Sequence, residues 1–120
     1  MSTGMSTEPQ QQNQDIRLCG QEDLVPNSGV CALWQDQQIA IFYLPEDEPS
    51  VYAVSNWDPI GKAEVISRGI LGDIDGTKVV ASPLYKQHFD LTTGRCFEDE
   101  NHSLEVFQVV LEKDGLWLKL

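Results

Sequence analysis

The chain has 120 residues, 41% of them hydrophobic, enough for one domain with a modest packed core and too few for a second of ordinary size. A formal net charge of −11 repels phosphate backbones and anionic lipid headgroups, which argues against nucleic acid and membrane as partners and for a basic or amphiphilic protein surface. No bilayer-spanning apolar run or secretory pattern is present, and three cysteines without a Cys-x-x-Cys pair (Cys19, Cys31, Cys96) fit reduced thiols, so a soluble cytoplasmic protein is expected.

Residues 1–14 are polar and end in a glutamine-rich patch with no apolar period, which predicts a disordered tail before a domain over 15–120. Ile16 to Cys19 reads as an edge strand, followed by a turn-rich stretch to Gly29. Val30–Trp34 and Gln38–Leu44 are β-rich runs joined by Gln35-Asp36-Gln37, a hairpin signal. The second run is almost continuously apolar, as a strand buried on both faces would be. After the acidic turn Pro45–Pro49 comes a short strand, Val51 to Val54.

The middle third is broken by Gly61, Gly69, Gly72 and Gly76, and Asp75-Gly76 predicts a tight hairpin between Leu71–Ile74 and Thr77–Val80. Leu104 to Leu111 is the longest strand candidate, and Asp114-Gly115 turns it into Leu116–Leu120, whose leucines recur with period two. No helix of three turns is expected. Many short strands with Gly, Pro and Asp turns predict an all-β chain, an antiparallel sandwich or barrel.

Charge is uneven. Residues 61–95 hold five basic residues (Lys62, Arg68, Lys78, Lys86, Arg95) against four acidic ones (Glu64, Asp73, Asp75, Asp90). That third carries one net positive charge, and the rest carries twelve net negative charges. A chance cluster on a solvated surface and a less repulsive docking face are both open readings.

No catalytic constellation stands out. Glu46-Asp47-Glu48 and Glu98-Asp99-Glu100 read as solvated turns rather than acids facing across a cleft. His88 and His102 read as loop or surface histidines. Cys96 reads as a structural thiol, and Cys19 and Cys31 as small core residues. There is no phosphate loop and no serine-nucleophile elbow.

The run Ser82-Pro83-Leu84-Tyr85, followed by Phe89-Asp90 and Thr93-Gly94, resembles the second ligand loop of Rieske iron–sulfur domains, whose pattern is Cys-Pro-x-His, then Phe-Asp and Thr-Gly. The first loop of that family, Cys-x-His, falls on Asn56-Trp57-Asp58. The four ligand positions are then Asn56, Asp58, Ser82 and Tyr85, none of them a cysteine or histidine. An amide, a carboxyl, a hydroxyl and a phenol are poor substitutes for the thiolates and imidazoles that hold a [2Fe–2S] cluster. The expectation is therefore no cofactor, no metal and no catalytic residue in this chain. Asp58 with Tyr85 alone makes a poor mononuclear cage.

Together with Ser67-Arg68-Gly69-Ile70 and Gln38-Ile39-Ala40-Ile41-Phe42, these motifs resemble the small subunits of the cytoplasmic NAD(P)H-dependent nitrite reductases. The resemblance implies a Rieske-like sandwich or barrel with an inserted small β subdomain, about 55–93, that carries both former ligand loops. It also implies a large-subunit partner carrying FAD, an iron–sulfur cluster and sirohaem, which reduces nitrite to ammonium. This chain would then be a supporting subunit whose partner-binding candidates are Trp57, Pro59, Lys62, Tyr85, Lys86 and His88. Trp57 and Tyr85 either dock a partner or fill the space of the absent cluster, and both roles are compatible with Tyr85 inward and Trp57 outward. The alternatives are a Rieske-type [2Fe–2S] electron carrier and a free-standing interaction module.

Overall fold

The computed structural model describes residues 15–120; the expected tail at 1–14 lies outside the described residues. Among the described residues twelve strands occur in chain order: β1 (Ile16–Cys19), β2 (Ser28–Trp34), β3 (Gln37–Tyr43), β4 (Val51–Ser55), β5 (Trp57–Asp58), β6 (Ala63–Glu64), β7 (Ile70–Ile74), β8 (Thr77–Ala81), β9 (His88–Asp90), β10 (Val106–Phe107), β11 (Val109–Glu112) and β12 (Gly115–Leu118). Among the described residues the only helical turns are two short 3₁₀ segments, Gln21–Asp23 and Ile66–Arg68. The strands pair antiparallel in four sheets, ordered β1-β12-β11, β10-β4-β3-β2, β5-β6 and β7-β8-β9.

β3 organises the core. Its Ile39 and Ile41 point into an apolar cluster with Ala53, Leu116 and Leu118, while Ala40 and Phe42 point the other way, onto Val54, Val80, Phe89 and Leu91. All four β3 residues are fully buried, the physical reason for the unbroken apolar run in this strand. The β2–β3 hairpin forms in the predicted place with a tighter turn. Only Gln35 and Asp36 lie between the strands, at φ 50 and 62, and Gln37 already pairs with Trp34. The Asp75-Gly76 turn joins β7 to β8 as expected.

Two predicted strands change. Leu104–Leu111 is not one strand: β10 pairs with β4 in one sheet and β11 with β12 in another. The side chains keep period two across the break, with Leu104 and Val106 toward one cluster and Phe107, Val109 and Leu111 toward the other. The chain exchanges its hydrogen-bonding neighbour at Gln108, whose carbonyl accepts the Lys119 N–H at 2.8 Å. Period reports which face a residue occupies and says nothing about which strand lies alongside. The last strand ends at Leu118, leaving Leu120 exposed.

Candidate functional site

The two loops that the sequence pattern aligns with the Rieske ligand loops are hairpin loops of the same design. The first, Asp58-Pro59-Ile60-Gly61-Lys62, joins β5 to β6; the second, Ser82-Pro83-Leu84-Tyr85-Lys86, leads from β8 toward β9. In each, the carbonyl of the first residue accepts the N–H of the lysine four positions on, Asp58 from Lys62 at 2.7 Å and Ser82 from Lys86 at 3.0 Å. In each, the first side chain accepts the N–H two residues ahead: Asp58 Oδ1 from Ile60 at 2.8 Å, Ser82 Oγ from Leu84 at 3.2 Å. Asp58 Oδ1 also accepts the Gly61 N–H at 2.9 Å. Short polar side chains before a proline make turns of this kind because they cap the backbone locally.

The loops are clasped to one another. Ser82 Oγ donates to Asp58 Oδ2 at 2.5 Å, and both side chains are fully buried. A buried carboxyl is tolerated only when its oxygens are occupied, and here three donors occupy them. Leu84 lies close over Gly61, where a Cβ would meet its Cδ1 and push the exposed leucine side chain aside, so the two loops approach closely here.

Asn56, buried just before the first loop, ties the pair to the main sheet. Its Oδ1 accepts the Ser67 N–H at 2.6 Å, and its Nδ2 donates to Gln38 Oε1 at 2.9 Å with Cys31 Sγ at 3.7 Å. Its backbone N–H donates to Gln38 O at 3.0 Å, and its carbonyl accepts the Ile66 N–H at 3.1 Å.

Three of the positions that the sequence pattern aligns with cluster ligands, Asn56, Asp58 and Ser82, are thus turned inward and hydrogen-bonded. Tyr85 is not: it is 64% exposed, and Leu84 and Trp57 are also exposed, at 44% and 43%. The reading in which Tyr85 fills the space of an absent cluster is corrected. The Asp58–Ser82 pair closes that space, and the left-handed backbone at Lys86 follows a turn that leaves Tyr85 on the outside. Pro59 is half-buried and Lys62 exposed; Lys62 and Lys86 have φ of 56 and 66, a conformation that costs a residue with a side chain about 1–2 kcal/mol.

His88 stands at the start of β9, half-buried, and is fixed by Glu98. Its backbone N–H donates to Glu98 Oε1 at 2.7 Å, and its Nδ1 lies 2.6 Å from Oε2. Burial alone would raise the Glu98 carboxyl; the hydrogen bonds from the His88 backbone and ring outweigh it and hold the group below its ordinary range. Cys96 is buried as expected, and burial pushes its thiol up. Cys19 is half-buried, and Cys31 is exposed on β2, which corrects its reading as a core residue: β2 is an edge strand with one face in solvent. The repeated pattern of Asp or Ser, then proline, an apolar residue, any residue and lysine was readable in the sequence, but the clasp between residues 24 positions apart was not.

Residues 15–119 match the family described as the Rieske-like [2Fe–2S] domain. Over 99 residues the chain is 43% identical to the nitrite reductase (NADH) small subunit of Escherichia coli K12, an alignment covering 82% of this chain and 90% of that one. The solution structure of the nitrite reductase NAD(P)H small subunit from Erwinia carotovora superposes with a TM-score of 0.73 at 39% identity, covering 89% of this chain and 82% of that one. A 101-residue stretch is 34% identical to part of the nitrite reductase NAD(P)H large subunit of Klebsiella oxytoca; it spans 84% of this chain and 10% of that protein.

The residues present do not fit a [2Fe–2S] group. Such a cluster takes two thiolates and two imidazoles converging from the two loops. Here the corresponding side chains are oxygen donors or an amide, three of them committed to hydrogen bonds and the fourth facing solvent. Among the described residues no three His, Cys, Asp or Glu side chains converge in a metal-holding group.

Proposed function

This chain belongs to the Rieske-like [2Fe–2S] domain family and, within it, to the nitrite reductase small subunits, and from that premise we propose that it is the supporting, non-catalytic subunit of an NAD(P)H-dependent nitrite reductase. The flavin, sirohaem and iron–sulfur chemistry that converts nitrite to ammonium then lies in the large subunit. The contribution of this chain is binding energy: a subunit that binds only the working conformation of its partner populates that conformation. We place the complex in the cytoplasm, in keeping with three unpaired thiols.

One observation carries the docking part of this reading. In the Klebsiella oxytoca protein a homologous stretch lies within a chain called a large subunit, so there a domain of this kind is covalently held to it. A separate small subunit reaches the same arrangement by association. The tip formed by the two clasped loops is the surface suited to it, because Leu84 and Tyr85 on one turn, and Trp57 on β5 just before the other, expose apolar area on backbone that is already fixed. Rigid aromatic anchors lose little entropy on binding.

Titrating the purified large subunit with wild-type and Trp57→Ala chains tests this. The substitution removes an anchor worth about 2 kcal/mol, roughly a thirty-fold loss of affinity. An unchanged dissociation constant places the interface elsewhere. Iron and acid-labile sulfide measured on protein purified anaerobically are expected to be absent; two irons and two sulfides per chain would contradict the reading of the loops.

A further inference from the structure

Both prolyl turns end on an exposed lysine in left-handed backbone, Lys62 and Lys86. Glycine would take either position without steric cost, and the same left-handed backbone occurs at Gln35, Asp36 and Asp75 in hairpin turns away from the tip, so what marks these two lysines is their exposure and placement rather than their backbone. The Asp58–Ser82 bond and the Leu84–Gly61 contact hold the turns side by side, which brings both lysines to the same end of the molecule. Neither has a carboxylate partner among the described residues. Lys78, by contrast, bridges Asp47 and Asp73, and Lys119 bridges Asp15.

The charge distribution gives this pair its meaning. Residues 61–95 carry one net positive charge on a chain whose total is −11. We propose that Lys62 and Lys86 form a two-pronged cationic contact that is met by carboxylates of an acidic patch on the large subunit, beside the site that receives Trp57, Leu84 and Tyr85. This rests on the tip-docking reading above and specifies the chemistry of the surface the tip meets. The same patch repels the acidic remainder of the chain, so it admits the molecule tip first. Charge complementarity of this kind sets orientation and association rate more than final affinity.

The test uses the intact large subunit as the probe and measures association rate, dissociation constant and melting temperature at low and high salt. Lys62→Gly and Lys86→Gly are expected to weaken binding about three- to ten-fold each, mainly through slower association, with a melting temperature no lower than wild type. Lys62→Gln and Lys86→Gln keep a long side chain on the same backbone and are expected to lose the same affinity. The double glutamine variant flattens the salt dependence seen for the wild type. Unchanged association and salt dependence in the double variant overturns the proposal. If Trp57→Ala still weakens binding in that case, tip docking survives with a neutral partner surface; if Trp57→Ala is silent as well, both readings fall.

Discussion

The two ends of this molecule are held together by different forces. Around β3, stability comes from apolar burial: Ile39, Ile41, Phe42, Leu116 and Leu118 are almost wholly removed from water. At the tip the fully buried residues are polar, Asn56, Asp58 and Ser82; of the apolar ones Ile60 packs half-buried against the core, while Trp57, Leu84 and Tyr85 are outside. A tip built this way keeps its shape through hydrogen bonds and leaves apolar side chains exposed. In a cluster-binding Rieske domain a metal group would join the two loops; here a serine–aspartate hydrogen bond does so.

That contrast is broken most severely in the body. Phe42→Ala opens a cavity between two sheets and is expected to cost about 3–5 kcal/mol in urea unfolding, with both ends losing structure together. Asp58→Ala is next. It strands the Ser82 hydroxyl and the Ile60 and Gly61 N–H groups, costing about 1–3 kcal/mol. Amide exchange should accelerate at Ile60 and Gly61 and stay unchanged in β3; equal acceleration everywhere would deny the tip its separate support.

A smaller effect follows acidification. The Glu98 carboxyl lies below its ordinary value near 4.5 in the folded chain, so its contribution is present above that pH and is lost as pH falls through the lower folded value. Melting temperature should therefore drop below about pH 4.5, and Glu98→Gln should reduce that drop. The smallest effect on stability is expected for Tyr85→Ala, within about 0.5 kcal/mol by thermal melting, because an exposed ring leaves no cavity. A loss of several kcal/mol there would mean that Tyr85 is part of the core.

The body was largely legible in the sequence. The unbroken apolar run of β3, the alternating leucines of β12 and the Asp75-Gly76 turn each state a local rule, and the structure obeys it. What was hidden depends on residues distant in sequence. The exchange of sheets at Gln108 is set by which strands lie alongside, and three-residue β9 is too short to show a period. At the tip, the resemblance located the loops, and residue chemistry alone argued against thiolate or imidazole ligation. Neither could show that Ser82 and Asp58 face one another, and without that bond nothing in the sequence decides whether Tyr85 points in or out.

Hydrogen–deuterium exchange of this chain, alone and in complex with the large subunit, tests the central claim most directly. Protection confined to the two loops, residues 57–62 and 83–88, with β1, β11 and β12 unaffected, is the predicted result. Protection over β1, β11 and β12 with the two loops unchanged would contradict it.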